Sequence, residues 1–335
     1  IKNWIKTQQD LPLKINQWCS VMRWEILKPG FPLIRNNEFL WHEAHACYAT
    51  EVENDQGAKQ LLDMYKELAL SLAIPYFEGR KPDRRKFAGA AYTLALESMM
   101  QNKKGLQLAT SHSLGQNFSV PFNLAFADQQ GQEKHVWQAC AGVTTRLLGA
   151  LLMVHGDAQG LVLPPAIAPY QVAFVGNTPI TLADIRTIHD PRKTKEHWMV
   201  RGVPIIIDTD NGTLLRRDTL TEQPFDKQNQ AALLALPGLL NQIQNSMLKK
   251  AQTFKEEHTF VTEDYTLFRN TLTQRKGFCI APWCEDTECS RAIRKDTKGS
   301  LRIVIPLQQH EQGKTCIGEQ CTSPAKVKAV FGQSY

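Results

Sequence analysis

The sequence predicts a multidomain protein of mixed class, α+β followed by α/β, and three observations carry that prediction. Two alternating stretches, Val21 to Ile26 and Glu38 to His45, are separated by Lys28-Pro29-Gly30 and read as an antiparallel hairpin ahead of a long helical stretch. From Gln171 onward apolar strands interleave with helical spacing, as in a small α/β domain. Five of the eight cysteines fall between Cys279 and Cys321, which suits a metal site better than a disulfide framework.

In the hairpin, Met22, Trp24 and Ile26 share one face and Arg23 and Glu25 the other, while Phe39, Trp41, Glu43 and His45 lie together on the second strand. If the charged face meets the aromatic one, Arg23, Glu25 and Glu43 stand beside Phe39 and Trp41. A fixed cation, acceptors and stacking rings together make a wall for a flat, charged ligand. The competing reading is an amphipathic hairpin with salt bridges. His42-Glu43-Ala44-His45 has the look of the zinc-protease helix motif, but its histidines are three apart rather than four and the segment alternates like a strand. No catalytic metal is expected there.

The remaining elements follow in order. Gln56 to Ala73 has helical spacing, with Leu61, Leu62, Tyr65, Leu68 and Leu72 on one side and Pro75 ending it. Arg80 to Lys86 is a basic loop, either a solvated turn or a contact for an RNA backbone. Leu106 to Phe118 gathers polar side chains around His112, a density costly to bury without a ligand. Neither Ser111 nor Ser113 sits in a nucleophile elbow, which argues against a serine hydrolase.

Cys140 to His155 reads as a glycine turn at Gly142 opening an apolar helix, with Arg146 near its start. That arginine suits either a carboxylate partner or a bound phosphate. Gly160 to Pro165 closes the domain. Strands are then expected at 171–175, 201–208 and 214–218, the last with an exposed basic end at Arg216 and Arg217, and the stretch from Val175 to Asp184 is too short for the expected helix. Ala231 to Glu257 is helical by spacing. Cys284-x4-Cys289 and Cys316-x4-Cys321 can supply four thiolates to one tetrahedral zinc, with Cys279 a fifth candidate.

Composition narrows the class. With 42% hydrophobic and 21% charged residues the chain is that of an ordinary globular protein, and no run reaches the roughly 18 apolar residues of a membrane helix. The net charge of +6 fits a phosphate-bearing partner without specifying one. The cysteine usage points to a reducing compartment. A start at Ile1, without an initiator methionine, leads us to expect an upstream portion.

These segments resemble a known family. Trp18-Cys19 through Arg23-Trp24-Glu25 to Glu38-Phe39-Leu40-Trp41-His42-Glu43 is similar to the second motif of class II aminoacyl-tRNA synthetases, and Gly142-Val143-Thr144-Thr145-Arg146 resembles the third. Thr110-Ser111-His112 with Gly115-Gln116-Asn117-Phe118 resembles a stretch particular to prolyl-tRNA synthetases of the archaeal and eukaryotic type. The likeness covers nearly the whole chain. The first class motif and a threonine-serine-glutamate loop of the proline site are not in it and would lie upstream. About a hundred residues separate Glu43 from Arg146, which leaves no room for the bacterial type's editing insertion.

The resemblance implies a class II antiparallel sheet flanked by helices in a catalytic domain at 1–168, an anticodon-binding α/β domain at 169–230 with Arg216 and Arg217 as RNA contacts, and an α+β zinc domain at 231–335 with Cys284, Cys289, Cys316 and Cys321 as ligands. It implies ATP bound by Arg23, Glu25, Arg35, Asn36, Phe39, Gln107, Thr110 and Arg146, with Arg23 and Arg146 catalytic and magnesium on the phosphates. Proline would contact Arg23, Trp41, Glu43, Phe87, His112, Cys140 and Gly142. The implied activity is that of a proline–tRNA ligase in the cytoplasm, acting as a homodimer in translation with tRNA(Pro) as partner and no membrane association. An inactive tRNA-binding relative, and a class II synthetase for another small amino acid, are the alternatives. Phe87-Ala88-Gly89-Ala90-Ala91-Tyr92, Cys140-Ala141-Gly142 and Asn36 depart from the usual family pattern.

Overall fold

The structure, a computed structural model, describes residues 1–24, 33–177, 180, 182–274, 276–297, 301–306 and 313–335. It contains two compact units, one made of Ile1–Glu67, Tyr76–Ala150 and Glu257–Tyr335 and the other of Leu68–Pro75 and Leu151–Glu256.

The first unit opens with β1 (Leu13–Met22) and β2 (Glu38–Tyr48), paired antiparallel so that Gln17 faces Glu43, Cys19 faces Trp41 and Val21 faces Phe39. A further bond from Arg23 N to Asn37 O, 2.7 Å, extends the ladder by one step. Alternation then puts Arg23 on the face of Phe39 and Trp41, where the sequence expects it. The first strand lies mostly upstream of the stretch that the sequence suggested, and Glu25 lies outside the described residues. The outer face of the hairpin exposes Trp18, Met22 and Leu40.

Helix α1 (Glu51–Ser71) begins five residues before the apolar spacing does. The reason is a reciprocal cap: Glu53 N donates to Thr50 Oγ1 while Thr50 N donates to the Glu53 carboxylate. Ala58, Leu62, Tyr65 and Ala69 are its buried stripe, with buried Leu72 just beyond its end. After it come β3 (Phe77–Arg80), β4 (Tyr92–Met99), β5 (Gly105–Gly115), the short pair β6 (Ala125–Ala127) and β7 (Glu133–His135), β8 (Trp137–Thr144) and α2 (Arg146–His155), whose second half, from Leu151, belongs to the second unit. Among the described residues six strands make one antiparallel sheet in the order β1-β2-β8-β5-β4-β3. Gly142 lies inside β8, paired to Glu43 on one side and Thr110 on the other, so the expected glycine turn is extended backbone and the chain turns at Thr145 instead.

The second unit contains β9 (Val172–Val175), β10 (Thr187–His189), α3 (Lys195–Val200), β11 (Ile205–Asp208), β12 (Thr213–Arg216), β13 (Glu222–Pro224), α4 (Gln230–Leu234) and α5 (Leu236–Glu257). Its sheet runs β10-β9-β11-β12-β13, with β9 parallel to both neighbours and no helix between β9 and β10 among the described residues. Leu236, Leu240, Ile243 and Met247 of α5 pack with Val172, Phe174, Ile205 and Ile207 in one core. The boundary expected at 230/231 therefore separates this helix from the sheet whose core it joins.

The exposed basic end expected at Arg216 and Arg217 is corrected. Arg217 is fully buried, and its guanidinium donates to both oxygens of Asp157, at 2.7 and 2.6 Å, and to Met199 O. Arg216 donates to Asp218. A buried cation requires such a partner, so Arg217 has no face left for RNA, and Arg216 is partly buried and already paired.

The chain returns to the first unit with β14 (Thr259–Val261), α6 (Tyr265–Thr273), β15 (Phe278–Trp283), α7 (Thr287–Asp296), β16 (Leu301–Val304) and β17 (Val327–Gln333), a sheet ordered β14-β15-β17-β16. Arg80 and Ile305 exchange two main-chain bonds, 2.8 and 2.9 Å, which tie the outer edge of the six-stranded sheet to the residue that follows β16. None of the described helices is long and apolar enough to cross a membrane.

Candidate active site and cysteine cluster

Strand parity builds the site. Phe39, Trp41 and Glu43 of β2, Cys140, Gly142 and Thr144 of β8, Thr110 and His112 of β5 and Thr93 of β4 stand opposite one another across the ladders and share one face. Gln107 should fall on the other face of β5, three residues from Thr110. A bulge at Leu108 corrects the phase, because Leu96 faces Ala109 while Glu97 faces Gln107. This face floors a cavity of about 510 Å³. Its walls include every candidate ATP and proline residue except Glu25, which is not described: Arg23, Arg35, Asn36, Phe39, Trp41, Glu43, Phe87, Gln107, Thr110, His112, Cys140, Gly142 and Arg146.

The cavity is divided by chemistry. At one end the Arg23 guanidinium lies 5.4 Å from the Phe39 ring centre and 5.8 Å from that of Trp41. Arg146, the first residue of α2, donates from Nε to Ile34 O at 3.1 Å, and Arg35 donates to the main-chain oxygen of Tyr335 at 3.2 Å. At the other end Trp41 donates its indole N–H to Cys19 Sγ at 3.0 Å, and Glu43 accepts from Gln17 at 2.8 Å with His45 3.1 Å away. The rings of Phe87 and His112 are 5.1 Å apart, and His112 Nδ1 lies 2.8 Å from Thr93 Oγ1. Burial pushes the His112 imidazole down to about 4, so it is neutral at physiological pH. Burial, and the Glu43 carboxylate nearby, push the Cys140 thiol up to about 12, so it is no thiolate nucleophile.

Sequence reasoning missed Gln17, Cys19, Lys81, Arg85 and Thr93. Carrying the alternation of Arg23 back through Val21 would have reached Cys19 and Gln17. Lys81 belongs by sequence to a solvated or RNA-binding loop; it is instead buried, with its ammonium 2.5 Å from the equally buried Glu97, and it lines the cavity beside Arg85. Nothing in the local sequence pairs those two residues, which meet only across β3 and β4. Ala141, one of the departures from the family pattern, shares the opposite face with Ala44 and Ser111, so its side chain lies away from the cavity. His42 is likewise on the far side, bonded to the Tyr65 hydroxyl at 2.9 Å, so His42 and His45 cannot ligate one metal. Ser111 and Ser113 are spent on Ala58 O and Asn54, as befits packing residues.

At the end of β15 and the start of α7, Cys284, Cys289, Cys316 and Cys321 bring their sulfurs within 4.8 Å of one another. The Cys284 and Cys321 sulfurs are 3.7 Å apart and those of Cys289 and Cys316 3.5 Å. A tetrahedron of zinc–sulfur bonds of about 2.3 Å has edges of about 3.8 Å, so the set fits one ion. Gly318 belongs to the cradle: a Cβ there would stand 2.8 Å from Cys289 Sγ. Cys279 is fully buried in the same core, its thiol near Phe268 O, but is not part of the set. The hydrogen bond between their sulfurs pushes the Cys289 thiol up and Cys316 down, the first keeping its proton and the second accepting from it.

An antiparallel sheet whose motif-bearing strands carry arginines and a stacking phenylalanine around one cavity defines a class II aminoacyl-tRNA synthetase core. Residues 1–155 match the model of the tRNA synthetase class II core domain (G, H, P, S and T). Residues 265–335 match that of the prolyl-tRNA synthetase C-terminal domain. The chain is 37% identical over 363 residues to a proline–tRNA ligase of Natranaerobius thermophilus, which covers 99% of this chain and 74% of that protein. It is 36% identical over 366 residues to the proline–tRNA ligase of Amoebophilus asiaticus, covering 100% of this chain and 73% of that one. The chain belongs to the proline–tRNA ligase family.

Proposed function

We propose that the chain activates proline with ATP and transfers it to the 3′ end of tRNA(Pro). The observation that carries the reading is the single cavity holding both the arginine end and the aromatic, carboxylate-bearing end. In the first step a proline carboxylate oxygen attacks the α-phosphorus, the bond to the β-phosphate oxygen breaks, and pyrophosphate leaves. No side-chain nucleophile is needed, so catalysis consists of alignment and stabilisation of charge at a crowded phosphate. In the second step a hydroxyl of the terminal tRNA ribose attacks the prolyl carbonyl and AMP leaves.

In this reading Arg23 binds the α-phosphate and the proline carboxylate, Arg35 the distal phosphates, and Arg146 the γ-phosphate while covering adenine. Phe39 stacks on adenine's other face; Asn36, Gln107 and Thr110 complete the ATP contacts. Trp41, Phe87 and His112 pack the proline ring with Cys140 and Gly142 behind it, and Glu43 is the acceptor for its ammonium. Magnesium would accompany ATP on its phosphate oxygens. Cys284, Cys289, Cys316 and Cys321 would hold a structural zinc that knits the C-terminal segment. The 169–230 region with α5 would bind the anticodon, through residues other than Arg216 and Arg217. A cytoplasmic homodimer rests on the family resemblance.

Pyrophosphate exchange with each amino acid in turn tests the activity. Exchange with proline is expected; exchange with no amino acid would favour a tRNA-binding relative, and preference for another small one would favour a different synthetase. The altered stretches Phe87 to Tyr92 and Cys140 to Gly142 border the amino-acid end, where one methylene is worth only roughly 10 to 200-fold in selectivity. Competition by small proline analogues is expected to be strong, and strict rejection would show that these departures do not matter. Metal analysis of reduced protein is expected to give one zinc per chain, lost on Cys289→Ser; a metal-free wild type would refute the site.

A further inference from the structure

We propose that Thr93 is a positioning residue for proline binding, whose hydroxyl fixes His112 as the tautomer protonated on Nε2 and anchors the main chain of Phe87. One side chain would thereby set two walls of the amino-acid end of the cavity. The inference rests on the proline reading of that end.

Thr93 is 2% exposed and stands directly opposite His112 across β4 and β5. Its Oγ1 accepts from Phe87 N at 3.0 Å and lies 2.8 Å from His112 Nδ1. A threonine hydroxyl has one hydrogen and two lone pairs. Phe87 takes one lone pair. If Nδ1 carried a proton it would take the other, and the hydroxyl hydrogen would be stranded in a buried site, which is costly. With Nδ1 bare, the hydroxyl donates to it and both groups are satisfied. The neutral ring's one proton then sits on Nε2. Burial disfavours the doubly protonated ring at physiological pH.

Nε2 has no partner among the described residues, and the His112 ring lines the cavity, so Nε2–H is the donor left for a ligand. Phe87 is 47% exposed and sits just after a short turn at 83–85. Its bond to Thr93 holds the start of the 87–91 stretch, whose far part is tied by Asn117 to Gly89 O and by Lys86 to Ala91 O. Because the Phe87 and His112 rings touch, releasing either one disturbs the other.

The test compares Thr93→Val, which keeps the shape and loses the hydroxyl, with Thr93→Ser, which keeps the hydroxyl, both in the full chain. Thr93→Val is expected to raise the KM for proline about tenfold while the KM for ATP and kcat move little, the pattern of lost substrate binding. Thr93→Ser is expected to stay near wild type. Histidine-selective ¹⁵N spectra of the wild type are expected to show a bare Nδ1 and a protonated Nε2 for His112, whose signal is identified by its loss in His112→Gln. A protonated Nδ1 in the wild type would overturn the proposal whether or not any variant folds. So would an unchanged proline KM in Thr93→Val, or a lost proline affinity in Thr93→Ser. Absence of proline exchange by the wild type would instead sink the proline reading, and the tautomer assignment would still be decided by the spectra.

Discussion

Two sets of arginines, three lining the cavity of the first unit and two in the second, have different fates. In the first unit Arg23 lies over ring faces and Arg35 and Arg146 bond to main-chain oxygens, all three at the wall of one cavity. In the second, Arg216 and Arg217 close on the carboxylates of Asp218 and Asp157. The difference teaches how a basic residue becomes a binding group: the fold must bring its charge to the wall of a cavity. A guanidinium that ends on a carboxylate has been used for folding.

Three experiments can break that contrast. Arg23→Ala is expected to slow adenylate formation by about 10² to 10³, the usual effect of removing a preorganised donor at developing charge, with thermal stability nearly unchanged. Retained exchange activity, or a collapse of stability, would undo its assignment to the cavity. Asp157→Ala should do the reverse, lowering unfolding free energy by about 3 kcal/mol because it strands the buried Arg217, while adenylate formation by the folded fraction is unaffected. Denaturant unfolding with an unchanged midpoint would mean that Arg217 is solvated after all.

The smallest effect is one that the two units share. His112 in the first and His155 in the second are both pushed down to about 4, in each case chiefly by burial. A histidine whose folded value lies below its ordinary one binds more protons when unfolded. Its contribution is therefore fully present above about pH 6.5 and is lost as pH falls toward 4. Melting temperature should decline across that window, and a decline that is absent in the wild type would show that neither imidazole is held neutral.

Much of the site could be read from sequence because alternation is a local property. Phe39, Trp41 and Glu43 fall on one face by counting alone, and the strand registers bring Arg23, Cys140, Gly142, Thr110 and His112 to that face. Cysteine spacing located the cluster, and only the fold separated Cys279 from it. What counting could not supply were partners remote in the chain. Lys81 needs Glu97, and Arg217 needs Asp157, sixty residues away. A basic run therefore reads as surface until the carboxylate that buries it is known. The start of α1 differs from the apolar spacing for another reason: the Thr50 to Glu53 cap begins the helix before its apolar stripe does.

The bulge at Leu108 gives β5 two halves of opposite phase. A protein engineer transplanting this constellation to an idealised sheet would find that Gln107 and Thr110 cannot both be seated, since a regular ladder sends residues three apart to opposite sides. The irregularity would have to travel with the side chains, as a spacer is kept with the parts it aligns.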